Sequence, residues 1–279
     1  MAAEIMDGNA LSQSIKEKIK EKIKNLNSQP SLAMILVGEN FDSKLYVNMK
    51  ERACKEAGIE SQNYFLPLDV KEQTIIELIN KLNEDKSING ILVQLPLPAH
   101  INKNHILNSI NPKKDVDGLN KLTLGKIFCG DEELAPCTPK GIIRILEHYN
   151  INIEGKNCVI INHSNVIGKP LSIMLLNRNA TVTICHIKTK NISEHTKKAD
   201  IIISATGKPN LITKEMIKVG AIIIDAGINK VNKKIQGDVN YENVKDIASY
   251  ITPVPGGVGP MTIAMLLENT LNTFKNNSQ

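Results

Sequence analysis

Strand-like and helix-like runs alternate along almost the whole of this chain, and that alternation restricts its fold more than any other feature. Parallel strands need a long crossover between them, which a helix supplies, so a β–α–β–α order predicts α/β architecture with mostly parallel sheets. In the N-terminal part, residues 32–37, 61–66 and 90–95 read as strands, with helices between them at 42–57 and 72–83. An opening helix carries Leu11, Ile15, Ile19 and Ile23 at four-residue intervals. Residues 115–136 lose periodicity and read as a connection. Thr138-Pro139 then supplies an N-cap followed by proline at the first helical position, predicting a helix to about residue 149. A second series follows: strand 158–161, helix 168–177, and strands 181–185, 200–205 and 221–225. A last helix after Pro260 is expected to return to the first domain, ending in a polar tail at 275–279.

The totals narrow the class. With 279 residues and 42% hydrophobic content, the chain can bury two ordinary cores. It has no Trp and only Arg52, Arg144 and Arg178 as arginines, so its net charge of +5 rests on lysine. Nucleic-acid binders cluster arginine with stacking aromatics, and no such patch is present. Cys54, Cys129, Cys137, Cys158 and Cys185 are odd in number and lack C-x-x-C pairing, so they read as small buried hydrophobes in a reducing compartment. No apolar run suits a signal peptide or a membrane span. The expectation is a cytoplasmic protein with no membrane and no nucleic-acid partner. The histidines show no metal-ligand spacing.

Four places could carry chemistry. Thr252-Pro-Val-Pro-Gly-Gly-Val-Gly-Pro-Met-Thr262 mixes three prolines with three glycines before a helix, more than a tight turn needs. Pro255, Gly256 and Gly257 lie at its centre. The run Asn162-His163-Ser164-Asn-Val-Ile-Gly168 joins a strand to a helix, where free N–H groups and the helix dipole suit a phosphate. It keeps only Gly168 of a G-x-G-x-x-G fingerprint, with Asn162 as the residue best able to replace a left-handed glycine. A dinucleotide site and a bare β–α turn both remain open there. Ser204-Ala-Thr-Gly-Lys-Pro209 and Asp225-Ala-Gly-Ile-Asn229 occupy carboxyl ends of strands, either as ordinary turns or as the ligand edge of an open sheet. In the first half, Tyr46 and Lys50 share one helix face, Gln94 ends a strand before Leu-Pro-Leu-Pro98, and Asp115 and Asp117 flank a possible Asx turn. The predicted division is a first domain of residues 1–120 with helix 260–279, and a Rossmann-type dinucleotide-binding domain at 140–255.

Taken together, Tyr46-Val-x-x-Lys50, Val93-Gln-Leu-Pro-Leu-Pro98, Lys114-Asp-Val-Asp-Gly118, Pro136-Cys-Thr-Pro-x-Gly141 and Pro253-Val-Pro-Gly-Gly-Val-Gly-Pro-Met-Thr262 resemble one family. It is the bifunctional methylenetetrahydrofolate dehydrogenase/methenyltetrahydrofolate cyclohydrolase family, and the likeness covers essentially the whole chain. The resemblance implies a cleft between two domains and oxidation of 5,10-methylenetetrahydrofolate with NADP, then hydrolysis to 10-formyltetrahydrofolate. Lys50 would be the central catalytic residue and Gln94 its partner. Asp117 would anchor the pterin, Tyr46 would stack on the folate, and Pro255, Gly256 and Gly257 would line the same cleft. Asn162, His163, Ser164, Gly168, Ile187 and Ile228 would meet the cofactor. A homodimer through the cofactor domain is also implied.

The chemistry fits these roles. Hydride loss from the methylene bridge is helped by folate nitrogen lone pairs, so alignment of two ligands is the main task. Hydrolysis needs a proton acceptor, which a lysine in a partly apolar pocket can provide. Where the family usually has Gly-Arg-Ser, this chain has Asn162-His163-Ser164, and Ile187 replaces a polar or basic residue. Both positions commonly meet the adenosine phosphate, so NAD is not excluded. Two rival readings are a Rossmann dehydrogenase for an amino or hydroxy acid, which the Q-L-P-L-P string opposes, and a non-catalytic dinucleotide sensor, which Lys50, Gln94 and Asp117 together oppose.

Overall fold

A computed structural model describes residues 2–232 and 234–277 and resolves into two compact units. Ser278 and Gln279 of the expected polar tail lie outside the described residues. One unit comprises Ser14–Lys126, Glu133–Cys137 and the chain from Ile263 on. Its sheet has three parallel strands, with Ser31–Val37 central between Glu60–Leu66 and Gly90–Val93. The central strand is buried along its whole length, which is why its Leu-Ala-Met-Ile-Leu-Val run is continuously apolar rather than alternating. Helix Phe41–Ala57 follows, capped by the Asn40 side chain, which accepts from Ser43 N, and ended by Gly58 at φ 83°. The helix buries Val47, Cys54 and Ala57. The C-terminal helix, Val258–Asn277, packs in this unit through Asn269, whose Nδ2 donates to the carbonyls of Val116 (2.9 Å) and Ala135 (3.1 Å). Its return to the first domain is the expected one.

The other unit takes the chain up to Gln13, Ile127–Glu132 and Thr138–Thr262. Six parallel strands run in the order Glu4–Ile5, Tyr250–Ile251, Ile222–Asp225, Ile201–Ser204, Asn157–Ile161 and Thr181–Cys185. Isoleucines at 201–203, 223 and 224 are buried at the centre, where β-branched side chains pack well on a pleated surface. Asn150 and Asn179 take left-handed φ just past two helices, a role that glycine more often fills.

Several expectations are corrected. Residues 115–136 are not a bare connection: helix Lys121–Phe128 lies within them, started by Asn120, whose Oδ1 accepts from Leu122 N (2.8 Å). Leu122 and Phe128 are exposed on it, which erased the apolar period. Helix Cys137–His148 begins one residue before Thr138, and the Thr138 hydroxyl pairs with Thr262 Oγ1 (3.0 Å) instead of capping. Pro260 is third in its helix rather than first, which is tolerated because first-turn N–H groups have no helical partner. Strand pairs Glu4–Ile5 with Tyr250–Ile251 and the hairpin Asn229–Val231/Lys234–Gln236 were too short to read from pattern. Cys129 is exposed, whereas the other four cysteines are buried and all five are free. Among the described residues, no helix is long and apolar enough to cross a membrane.

Candidate active site

The three-stranded unit brings Lys50 and Gln94 together. Lys50 projects from the Phe41–Ala57 helix, and Gln94 sits one residue past the Gly90–Val93 strand, held there by Gln94 N donating to Ile35 O (2.8 Å). Lys50 Nζ donates to Gln94 Oε1 at 2.9 Å, and Gln94 Nε2 donates to Leu95 O at 2.7 Å. The second bond fixes which face of the amide meets the amine, so an acceptor is always turned toward Lys50. Both side chains are half-buried. Tyr46 lies one helical turn away, also half-buried, and burial followed by the nearby Asp42 charge raises its hydroxyl pKa. Its hydroxyl has no hydrogen bond among the described residues.

The two aspartates of the Asp-Val-Asp-Gly run differ sharply. Asp115 is the turn residue: buried, its Oδ1 accepts from Gly118 N (3.1 Å) and its Oδ2 from Asn120 N (2.8 Å). Burial pushes its carboxyl up to about 6, outweighing those donors. Asp117 is half-buried, and its carboxylate makes no hydrogen bond among the described residues. The structure does not bond Asp117 to Lys50 or Gln94.

In the six-stranded unit, Asn162 knots the turn after strand Asn157–Ile161. Its Oδ1 accepts from Ser164 N (2.8 Å), Ser164 Oγ (2.8 Å) and Gly168 N (3.0 Å), while its Nδ2 donates to Ala205 O (2.6 Å). The expectation that Asn162 supplies a left-handed backbone is corrected, since its φ is not positive; its side chain does the work instead. Gly168 opens helix Gly168–Leu176 against this knot, and a Cβ there would lie 1.9 Å from Asn162 O. The backbone N–H groups of Asn165 and Val166 have no partner among the described residues. A tight turn, free donors and a helix start are what a dinucleotide pyrophosphate needs, so these residues fit the expected cofactor.

His163 is exposed, with its ring 5.0 Å from that of His186. That neighbour was missed, although the signal was present: Ile161 and Cys185 are paired in register, and each His follows one of those strand ends. Ile187 is 90% exposed and Ile228 50%. Of the proline–glycine loop, Gly256 alone has positive φ (111°), and Gly257 is closely packed, with a Cβ reaching Pro253 O at 2.7 Å. Asn9 N donates to Gly256 O (3.0 Å), and Pro255 is exposed. Also missed was the buried carboxylate Asp238, which no spacing in the sequence marks, whereas its buried companion Asp225 opens the Asp225–Asn229 turn read from the sequence. Burial pushes Asp225 up to about 6.

A parallel sheet whose carboxyl edge carries such a turn is the build of a dinucleotide-binding enzyme, and the Lys50–Gln94 pair gives the companion unit a group able to move protons. Known proteins narrow that class. Residues 6–117 match the catalytic domain of the tetrahydrofolate dehydrogenase/cyclohydrolase family, and residues 136–278 match its NAD(P)-binding domain. The chain belongs to this family. A curated relative, the bifunctional protein FolD of Thermodesulfovibrio yellowstonii, is 53% identical over 99% of this chain and 98% of its own. The crystal structure of the FolD methylenetetrahydrofolate dehydrogenase/cyclohydrolase from Campylobacter jejuni superposes with a TM-score of 0.97 at 51% identity, covering 99% of both chains. The Trypanosoma brucei enzyme, solved with NADP and an inhibitor, gives 0.96 at 34% identity over 100% of this chain and 99% of that one.

Proposed function

We propose that this chain oxidises 5,10-methylenetetrahydrofolate with NADP and hydrolyses the methenyl product to 10-formyltetrahydrofolate. Folate would be held by residues 1–120 with the Val258–Asn277 helix, and the cofactor by residues 140–255. The observation that carries this reading is the 2.9 Å bond from Lys50 Nζ to Gln94 Oε1. Gln94 takes one N–H of the amine and adds no charge, leaving the rest of the amine for substrate. In hydrolysis, water adds to the bridge carbon as Lys50 accepts its proton. The bond to folate N5 then breaks, N5 keeps a proton, and the net product is one formyl group and one released proton. Tyr46 offers a ring for the folate to stack on, and Asp117 a carboxylate for the pterin N–H groups. Pro255, Gly256 and Gly257 would border the folate.

NADP, when bound, accepts the hydride of the methylene bridge. Gly168, Asn162 and Ser164 would shape its pyrophosphate turn, with Ile187, Ile228 and His163 toward its adenosine and nicotinamide parts. Arginine would offer a charged bidentate fork to the adenosine phosphate, which the ring of His163 cannot match. The preference for NADP over NAD is therefore expected to be modest. Ratios of kcat/KM for the two nucleotides check this, and a strong preference for NADP would contradict it.

Gln94→Ala tests the amide's part. It should slow methenyltetrahydrofolate hydrolysis by roughly tenfold, less than the about 10²–10⁴ of a lost acid–base group, because the amine stays but is no longer oriented. Hydrolysis at the parental rate would contradict the reading. A homodimer through the six-stranded unit belongs to the same proposal, since Thr181–Cys185 is an edge strand with one side of its ladder open. So does a cytoplasmic setting, where four buried free thiols stay reduced.

A further inference from the structure

Two buried aspartates organise the carboxyl edge of the six-stranded sheet. Asp238 is fully buried and accepts five hydrogen bonds: from Ser204 Oγ (2.9 Å), Thr206 N (2.6 Å), Thr206 Oγ1 (2.9 Å), Lys208 N (3.0 Å) and Asn229 Nδ2 (3.0 Å). An ionised carboxylate is acceptor-only with about four lone-pair sites, so these donors saturate it. Asp225 accepts from Gly227 N (2.9 Å) and Asp238 N (3.0 Å) on Oδ1, and from Val239 N (2.9 Å) on Oδ2. The fit leaves no spare volume. A Cβ on Gly227 would lie 2.2 Å from Asp238 Oδ1, and one on Gly237 would lie 1.9 Å from Asp225 Oδ2.

The loops gripped in this way are 204–208, after strand Ile201–Ser204, and 226–229, after strand Ile222–Asp225. The second carries Ile228. Both leave the sheet at the carboxyl ends of adjacent strands, where ligands of open α/β sheets bind. Five donors on one buried carboxylate exceed what closing either turn alone requires. Each loop could turn with local bonds of its own, but only a shared acceptor fixes one loop against the other.

We infer that Asp238 is a positioning residue for the nicotinamide cofactor, holding Thr206–Lys208 and the Ile228 loop in mutual register at the rim where the dinucleotide binds. The inference rests on the reading that the six-stranded unit takes NADP. It separates the two activities: loss of Asp238 acts on cofactor binding and spares hydrolysis, whose residues Lys50 and Gln94 belong to the other unit.

The test is D238N in the full-length protein. The substitution keeps the shape but sets an amide donor against other donors. The two loops then lose the acceptor that fixes one against the other, and the NADPH Kd, read by nucleotide fluorescence, should rise by about tenfold or more. Methenyltetrahydrofolate hydrolysis, assayed without nucleotide, should stay at the parental rate. Should D238N fail to fold, Thr206→Val and Asn229→Ala carry the test, each removing one donor and each expected to raise the Kd severalfold with hydrolysis intact. An unchanged Kd, or a parallel loss of binding and hydrolysis, would overturn the inference. Failure of the unsubstituted protein to bind NADPH would refute the cofactor reading instead.

Discussion

Lys50→Met is expected to slow hydrolysis of methenyltetrahydrofolate by at least about 100-fold, the lower end of what a positioned acid–base group contributes. Methionine keeps most of the stem volume and removes the only group in the Lys50–Gln94 pair that can take a proton from water. The side chain is half-buried midway along its helix, while the helix's core contacts come from Val47, Cys54 and Ala57. Thermal stability should therefore change little, and Gln94 keeps its bond to Leu95 O. Stopped-flow decay of the methenyl absorbance measures the effect. A parental rate would remove Lys50 as the base.

Asp117→Ala should weaken folate binding and impair both activities together. A carboxylate pairing with the pterin N–H groups contributes about 1.5–3 kcal/mol, or roughly one to two decades in affinity. The competing view is that Asp117 merely caps the turn before Gly118. The hydrogen bonds favour the substrate role: Asp115 accepts from both Gly118 N and Asn120 N, and Asp117 accepts from neither. Asp117→Ala should thus raise the KM for folate in both reactions with an unchanged Tm. Asp115→Ala, by leaving buried donors unpaired, should lower the Tm. A fall in Tm for Asp117→Ala with KM unaltered would assign it to the turn.

The long periodic segments were legible in the sequence because burial imposes their pattern. Ser31–Val37 and Ile201–Ser204 are buried throughout and read as continuous apolar runs. Tyr46 and Lys50 could be placed on one face because helical spacing is fixed, and Gln94 at a strand end because Pro96 follows so closely. Two-residue strands such as Glu4–Ile5 have no period to detect; they exist only because Tyr250–Ile251 offers a ladder from far along the chain. The same holds for Asp238. Its five donors come from two separate stretches, residues 204–208 and Asn229, so nothing in Gly237-Asp-Val239 announces a role. Asn162 shows a third limit. Its position in the β–α turn was visible, yet its action through the side-chain amide rather than through a left-handed backbone needed coordinates.

The central claim is that one chain carries both the oxidation and the hydrolysis, with separate demands on its two units. The most direct test follows cofactor reduction and methenyl absorbance together, first with methylenetetrahydrofolate and NADP, then with methenyltetrahydrofolate and no nucleotide. The expected result is NADP reduction that requires folate, and decay of added methenyltetrahydrofolate that requires Lys50 but not NADP. Folate-dependent reduction of NADP with no enzymatic decay of the methenyl compound, or decay that Lys50→Met leaves at full rate, would contradict it.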